Sequence, residues 1–332
     1  MARYLVTGAT GFLGSELTKQ LIGRGHQVVA LVRSPARASV LRTLGVELHE
    51  GDITDRESLW APMTGVDGLF HCAAWYKVGA ADSACAEPTN VGGTRNVLEA
   101  MRELGVPKGV YTSTVAVFSD TRGAVPDERY RYEGPHLSEY DRTKWLAHYQ
   151  VALPMMSAGL PLVIVVPGAI YGPGDTSALH TAMVDLLRKR LYFTPRRTAF
   201  CWAYVEDTAR GHILAMEHGR PGETYILAGP RHTFEEAFDV IATLAHVRRP
   251  LLHPGPRLLR ATAWLMQGLQ RIVDVPPVLT PEALRVMAGV TYFGSSQKAE
   301  RELEFSARPL VEGMEQTLEY EIRELQRGKA PT

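Results

Sequence analysis

Three side chains in the first half of the chain have the chemistry needed to move a proton at a carbonyl oxygen. Tyr140 and Lys144 are four residues apart in a stretch with a helical pattern over 138–150, so both side chains are expected on one helix face. Thr114 precedes Tyr140 by 26 residues and follows the strand-like run 109–112. A hydroxyl, a phenol and an ammonium that meet in one pocket can hold, protonate and deprotonate a substrate oxygen.

A glycine-rich turn near the start of the chain predicts a phosphate site. Gly8, Gly11 and Gly14 are spaced three apart after the apolar run 4–6, and an amphipathic helical pattern follows over 12–22. A strand, a glycine turn and a helix in that order present backbone N–H groups and a helix N-terminus to a diphosphate. Glycines let the backbone turn tightly and approach the phosphates. The same spacing also fits an ordinary strand-to-helix turn, so the turn alone is weak evidence.

The phenol of Tyr140 needs help to act as a base near neutral pH. Lowering a tyrosine pKa from about 10 to about 7 requires roughly 4 kcal/mol of phenolate stabilisation. The ammonium of Lys144 and an oxidised nicotinamide in a water-poor pocket supply such stabilisation. Tyr-x-x-x-Lys pairs also occur on many solvated helices, and the glycine turn and Thr114 in the correct order are what favour a catalytic role.

A parallel sheet is the element that must position these residues. Apolar runs that alternate with helical patterns predict a doubly wound parallel sheet of the α/β class, the Rossmann fold, with its ligand crevice at the carboxyl ends of the strands. Strands are predicted at 4–6, 27–32, 46–49, 68–71, 109–112 and 162–166, and helices near 36–44, 55–61, 84–104 and 138–158.

The second half of the chain is less regular. Helices predicted near 176–190, 207–217, 234–246, 257–273 and 309–325 mix with loops rich in proline and glycine, which indicates a smaller, mostly helical substrate lobe. We expect an NAD(P)-binding Rossmann domain over 1–170, with 203–230 returning to it, and a mainly substrate-binding lobe over 171–332.

Composition and charge argue against several function classes. Lys plus Arg and Asp plus Glu both number 36, so nothing suggests a nucleic-acid partner. The chain runs directly into its first strand and has no apolar stretch of membrane-spanning length, so we expect no signal peptide, no integral membrane segment and a cytoplasmic location.

Segment 257–271 is apolar with cationic ends; it fits a helix over an apolar pocket or one lying on a membrane surface. Neither the cysteines (Cys72, Cys85, Cys201) nor the histidines (His71, His148, His180, His212) show metal-ligand spacing, so no metal is expected.

Taken together, these motifs resemble the extended short-chain dehydrogenase/reductase family over nearly the whole chain. The match includes the segments Val6–Gly14, Gly51–Ile53, Cys72–Ala74, Asn90–Thr94, Val166–Gly174 and Tyr204–Asp207, besides Thr114, Tyr140 and Lys144. The resemblance implies that Thr114 holds the substrate oxygen, Tyr140 moves the proton, and Lys144 lowers the Tyr140 pKa and binds the nicotinamide ribose. It also implies a homodimer through helices 84–104 and 138–158, and a cofactor site formed by Gly8, Thr10, Gly11, Phe12, Leu13, Asp52, Ile53, Ala73, Ala74, Lys144, Pro167, Ala169 and Ile170.

The end of the second predicted strand favours NADP(H) over NAD(H). NAD enzymes usually place a carboxylate there to bind the ribose 2′-hydroxyl, but this chain has Val32 followed by Arg33. Arg33 can pair with a 2′-phosphate, and Arg37 can add a second charge. Arg33 can alternatively stack on adenine without selecting either cofactor, so NAD(H) stays open.

Within this family, the residues favour a reductase or dehydrogenase acting on a small-molecule substrate. Dehydratases carry an acid pair after the catalytic threonine, whereas Thr114 is followed by Val115 and Ala116. Nucleotide-sugar epimerases carry a diphosphate-binding arginine where Phe200 stands, although Arg196 and Arg197 are close in sequence.

The pattern Leu31–Pro35 resembles dihydroflavonol reductases and 3β-hydroxysteroid dehydrogenases, which implies interconversion of a carbonyl and a secondary alcohol on an apolar or aromatic substrate. The alternatives are a nucleotide-sugar or hopanoid-associated sugar epimerase and a non-catalytic NADP-sensing regulator. The aromatic residues expected around the substrate pocket are Trp75, Tyr76, Phe118, Tyr171, Tyr192, Phe200 and Trp202.

Overall fold

A sheet of short strands flanked by helices is the centre of the computed structural model, which describes residues 1–79, 83–270, 275 and 277–328. In chain order the strands are β1 (Arg3–Thr7), β2 (Gln27–Val32), β3 (Glu47–Glu50), β4 (Gly68–His71), β5 (Gly109–Thr112), β6 (Leu162–Pro167), β7 (Ala169–Tyr171), β8 (Ala199–Tyr204), β9 (Thr224–Leu227), β10 (Arg231–Thr233) and β11 (Thr291–Tyr292). Seven of these strands pair in the order β3-β2-β1-β4-β5-β6-β9, and every pairing in this sheet is parallel. The predicted doubly wound α/β fold is confirmed.

Helices cover both faces of this sheet, which is why its inner strands are largely apolar, whereas the edge strand β3 (Glu47–Glu50) is mostly polar. Strand β6 is buried along its whole length, with Leu162, Ile164 and Val166 in the core on one face and Val163 and Val165 in the core on the other. This alternation follows from the two-residue repeat of a strand. The helices are α1 (Phe12–Gly23), α2 (Ser39–Thr43), α3 (Trp60–Met63), α4 (Thr94–Glu103), α5 (Glu139–Leu146), α6 (Leu153–Ser157), α7 (Ala178–Leu187), α8 (Val205–Glu217), α9 (Phe234–Leu244), α10 (Pro256–Leu269), α11 (Pro281–Val286), α12 (Gln297–Leu303) and α13 (Leu310–Gln326).

The two long helical segments predicted in the first half are each interrupted by a π-helical turn. Pro88–Gly93 is π-helical and continues into α4, and Ala147–Ala152 is π-helical between α5 and α6. π-Helical turns inside α-helices are frequent at functional sites. The helix predicted over 257–273 is observed as α10, and residues 271–273 lie outside the described residues.

A second, smaller sheet was not predicted. It consists of β8 paired with β10 in the antiparallel sense and with β7 and β11 in the parallel sense. Strand β9, which lies in the segment expected to return to the larger domain, forms an edge of the central sheet. Across the described ranges, every helix is too short or too polar to span a lipid bilayer.

Candidate active site

The glycine turn after β1 is packed too closely for any larger residue at two of its three glycines. Gly8 has a φ of +76°, and a Cβ there would lie 2.7 Å from the backbone nitrogen of Ala73. A Cβ on Gly14 would lie 2.1 Å from the carbonyl oxygen of Gly8. The turn is closed by a hydrogen bond of 2.9 Å from Gly11 N to Gly8 O. The sequence therefore requires glycine here for backbone approach, as a phosphate cradle does.

The start of α1 fits a dinucleotide diphosphate. Gly11 is the N-cap of this helix and supplies no side-chain hydrogen bond, so the first N–H groups keep their hydrogen-bonding capacity. Thr10 and Gly11 are exposed, whereas Leu13 is buried. Backbone groups of Gly8, Thr10, Gly11, Phe12 and Leu13 would hold the diphosphate through hydrogen bonds and the helix dipole.

The other residues predicted to bind the cofactor follow the carboxyl ends of neighbouring strands. Asp52 and Ile53 follow β3, Ala73 and Ala74 follow β4, and Pro167 ends β6 just before Ala169 and Ile170 of β7. Asp52 Oδ1 accepts hydrogen bonds from Thr54 N at 2.9 Å and Thr54 Oγ1 at 2.8 Å, which fixes this turn. Because parallel strands end at one edge, the structure brings these segments to the same crevice as the glycine turn.

Arg33 stands one residue beyond β2, which is the strand beside the glycine turn. Its side chain is exposed, as is that of Arg37. Among the ion pairs of the described residues neither arginine takes part. Val32, at the position of the usual carboxylate, is buried and pairs with Glu50 of β3. Two cations without carboxylate partners therefore lie where the adenosine ribose of a dinucleotide is expected.

Lys144 projects from α5 into a buried site beneath the strand ends. Its Nζ donates to the carbonyl oxygen of Thr112 at 2.8 Å and to the Tyr111 hydroxyl at 3.3 Å, and lies 4.9 Å from the centre of the Tyr111 ring. Only 3% of its surface is exposed. Burial lowers the pKa of Lys144 from 10.5 to about 7, because a charged ammonium loses its hydration there.

Tyr140 lies one helical turn before Lys144, beside Thr114. The helix begins at Ser138, whose Oγ accepts a hydrogen bond of 3.0 Å from Asp141 N. Burial and neighbouring Tyr76 raise the pKa of Tyr140 well above 10, and a hydrogen bond with the Thr114 side chain opposes that rise. The structure thus places Tyr140 beside Thr114 and one helical turn from Lys144, with the phenol in its neutral, proton-donating form. The expected lowering of the Tyr140 pKa by Lys144 is not observed, because burial dominates and Lys144 is not among the groups that shift this pKa.

Several buried histidines brace the strand ends around these residues. His71 contacts the Thr7 hydroxyl at 2.7 Å and the Thr94 hydroxyl at 3.1 Å, while His148 contacts Ser113 Oγ at 2.8 Å. Burial lowers the pKa of His71 and of His148 to about 3, so both rings are neutral. No set of three potential metal ligands is found in the part of the chain that the structure describes.

Two contacts at the site were missed by the sequence analysis. Tyr111, a strand residue, meets Lys144 only because α5 packs on β5, and no local pattern reports that. Glu282, from α11, accepts hydrogen bonds from the backbone N–H of Gly79 at 2.5 Å and from that of Glu139. It ties the C-terminal half to the first residue of the catalytic helix.

The predicted substrate-lining rings separate into buried and accessible groups. Phe118, Tyr171 and Trp202 are only 2–3% exposed and belong to hydrophobic cores, where Trp202 Nε1 donates to His232 O at 3.1 Å. Their rings are enclosed by neighbouring side chains, so in this structure they pack rather than face a substrate.

The accessible rings lie nearer the catalytic helix. Trp75 is partly exposed and held by Asn90, whose Oδ1 accepts from Trp75 N at 2.7 Å. Phe200 is partly exposed and stacks on Tyr292 with ring centres 5.9 Å apart. Tyr76, which is 52% exposed, packs edge-on against Tyr140 with a centre distance of 4.9 Å. These three rings are the candidates for substrate contact that the structure leaves accessible.

Comparison with known proteins places the site in a group of related enzymes. Residues 4–228 match the family described as NAD dependent epimerase/dehydratase. Similar proteins include a 4-hydroxy-2-methyl-3-oxo-4-farnesyl-3,4-dihydroquinoline-1-oxide ketoreductase of Stigmatella aurantiaca, 32% identical over 92% of each chain. A 3 beta-hydroxysteroid dehydrogenase/Delta 5-->4-isomerase of Mycobacterium tuberculosis is 31% identical over 91% of this chain and 85% of its own. The solved structure of gox2253 is 31% identical, with a TM-score of 0.85 over 99% of both chains.

Proposed function

This chain belongs to the NAD dependent epimerase/dehydratase family, whose members act on hydroxyl and carbonyl groups with NAD(P), and we propose a specific reaction for it. The protein is an NADP(H)-dependent oxidoreductase that interconverts a carbonyl and a secondary alcohol on a largely apolar or aromatic substrate. The observation that carries this proposal is the position of Tyr140 beside Thr114, one helical turn from buried Lys144, at the edge of the sheet where the glycine turn also lies. Relatives named as a ketoreductase and a hydroxysteroid dehydrogenase support the carbonyl chemistry and the apolar substrate.

When bound, a nicotinamide cofactor would supply or accept the hydride, and the residues of this chain would handle the substrate oxygen and its proton. In the reductive direction the Thr114 hydroxyl donates a hydrogen bond to the substrate carbonyl oxygen, and the Tyr140 hydroxyl gives it a proton. In the oxidative direction the Tyr140 phenolate removes that proton. The Lys144 ammonium stabilises the phenolate, and the buried surroundings strengthen that attraction by excluding water.

Tyr140→Phe tests the catalytic assignment. The variant keeps the ring and removes only the proton donor, so we expect turnover of a carbonyl panel to fall by at least about a thousandfold, while NADPH binding measured by fluorescence quenching stays unchanged. Tyr320→Phe is the matched control, because Tyr320 is 39% exposed on α13. Turnover by Tyr140→Phe at the wild-type rate would refute the assignment.

Arg33→Ala tests the cofactor preference. Charge-assisted hydrogen bonds to a phosphate contribute about 1.5–3 kcal/mol, so the NADPH KM should rise roughly 10- to 100-fold while the NADH KM stays unchanged. Arg42→Ala, an exposed cation on α2, controls for general electrostatic attraction. An equal rise for both cofactors would mean that Arg33 stacks on adenine without selecting the phosphate.

A sugar-nucleotide epimerase is the alternative that the site supports less well. Phe200, at the position of the expected diphosphate-binding arginine, stacks on Tyr292 and offers no charge to a diphosphate. Arg196 and Arg197 are exposed just before β8. Epimerisation of UDP-sugars without net change in the nicotinamide, together with no activity on the carbonyl panel, would favour this alternative over the proposed oxidoreductase.

A further inference from the structure

The outer side of α10 exposes apolar side chains that the active site does not use. Leu259 and Ala263 face inward and are buried against α11. About 120° around the helix axis from these two residues, Leu258, Leu265 and Leu269 are 61%, 62% and 42% exposed. At 3.6 residues per turn these three leucines fall within about 40° around the helix axis. They therefore form a continuous apolar stripe facing solvent.

The chain just before α10 extends this stripe. Leu251 and Leu252 are 90% and 63% exposed. Leu252 lies beside the bridge partner Phe193, and Leu252 N donates to the carbonyl oxygen of Tyr192, whose side chain is 71% exposed. We call this surface the α10 face; its apolar members are Tyr192, Leu251, Leu252, Leu258, Leu265 and Leu269.

Cations adjoin the α10 face. Helix α10 contains two arginines and no acidic residue. The segment 188–197, which forms hydrogen bonds with the chain just before α10, adds five more cations. All of the following are exposed, and none takes part in an ion pair among the residues that the structure describes. They are Arg188, Lys189, Arg190, Arg196, Arg197, Arg257 and Arg260. The whole chain has no net charge, so this positive charge is a local excess.

We propose that the α10 face docks the protein on the surface of an anionic lipid bilayer. An apolar stripe flanked by cations is the arrangement that inserts among acyl chains while pairing with anionic headgroups. Trp264, which is 78% exposed on the same helix about 100° around the axis from Leu265, and Tyr192 have the amphipathic rings that favour the headgroup level. A second copy of the chain is a poorer occupant, because a twofold contact would bring the cationic rim against itself.

The α10 face lies one helix away from the catalytic residues. Helix α10 packs on α11 through Leu284, and Glu282 of α11 binds the N–H groups of Gly79 and Glu139. Glu139 precedes Tyr140 in the chain. A docked protein would thus hold its active site close to a bilayer that dissolves apolar carbonyl compounds. This delivery role rests on the proposed function, whereas the docking itself does not.

Vesicle co-sedimentation tests the docking without any turnover. The purified protein is mixed with vesicles of phosphatidylcholine alone or with about a quarter phosphatidylglycerol, and we expect binding to the anionic vesicles only. The double variant Leu258→Glu/Leu265→Glu should lower the partition coefficient at least about tenfold. Val40→Glu/Val311→Glu is the matched control, because these valines are 65% and 46% exposed elsewhere.

Charge variants separate the electrostatic part from the apolar part. Arg190→Gln and Arg257→Gln should each lower binding to anionic vesicles about fivefold, whereas Arg102→Gln on α4 should not. Absence of vesicle binding, or an equal loss in the leucine and valine variants, would overturn the proposal. So would a halving of the molar mass by light scattering in Leu258→Glu/Leu265→Glu, since that face would then be a contact between copies.

Discussion

Lys144→Met should inactivate the enzyme and, near pH 6, make it more stable. The difference between the ordinary lysine pKa of 10.5 and the value of about 7 in the folded protein corresponds to roughly 5 kcal/mol of unfavourable burial of the charge. Methionine fills a similar volume and carries no charge. Methionine cannot donate the two hydrogen bonds that Lys144 gives to Tyr111 and Thr112, which together contribute about 2 kcal/mol.

The pH dependence of this effect has a definite sign. Between pH 7 and 10.5 the native state binds fewer protons at Lys144 than the unfolded state, so the stability of the wild type rises with pH relative to the variant. The unfavourable burial is roughly 5 kcal/mol at pH 6 and roughly 2 kcal/mol at pH 9. Lys144→Met should therefore be roughly 2–3 kcal/mol more stable than the wild type at pH 6 and nearly equal to it at pH 9.

Urea unfolding followed by tryptophan fluorescence measures both values. Lys19→Met is the matched control, because the Lys19 side chain is 54% exposed and its replacement should cause a small change that is independent of pH. The reasoning fails if the stability difference between Lys144→Met and the wild type is the same at pH 6 and pH 9. It also fails if the variant gains stability relative to the wild type as the pH rises.

Two further predictions concern the backbone turn and a buried ion pair. Gly14→Ala should weaken NADPH binding and cost about 1–3 kcal/mol, because its Cβ would overlap a backbone oxygen of the turn; Gly23→Ala on the same helix meets nothing within 4 Å and should stabilise by up to about 1 kcal/mol. Asp207→Ala should cost about 3–5 kcal/mol in urea unfolding, since Asp207 accepts three hydrogen bonds of 2.9 Å from Arg308. Glu206→Ala, which removes a 46% exposed partner of the same arginine, should cost less than about 1 kcal/mol, and equal losses in both variants would contradict the difference in burial.

Six of the seven strands in the central sheet could be predicted because each carries a local signal, whereas the edge strand β9 was not predicted. An apolar run such as Leu162–Pro167 is buried on both faces, and a glycine turn or helical pattern marks its ends. The small sheet lacks such signals. Strand β11 has two residues, and Thr291 pairs with Ala199, 92 positions earlier. Pairings of that kind depend on how the two halves of the chain pack together, which no local pattern reports.

The residues of the candidate site also separate into those that local sequence patterns predict and those that they do not. Tyr140 and Lys144 could be paired from the sequence because helical spacing places them on one face, and the structure brings Thr114 beside them. The aromatic residues gave a weaker prediction, because composition does not say which side of a strand faces a pocket. Phe118 and Trp202 are enclosed in cores, whereas Tyr76, which was also among the rings expected around the pocket, contacts Tyr140.

The C-terminal half contributes to the catalytic centre as well as to the expected substrate lobe. Thr112, whose carbonyl oxygen accepts from Lys144, also bonds through its hydroxyl to His212 of α8 at 3.0 Å. Burial lowers the pKa of His212 to about 4, so this ring is neutral and adds no charge to repel the ammonium. Asp207, one turn earlier on α8, pairs with Arg308 just before α13. A helix from the second half therefore supports the strand end that holds Lys144.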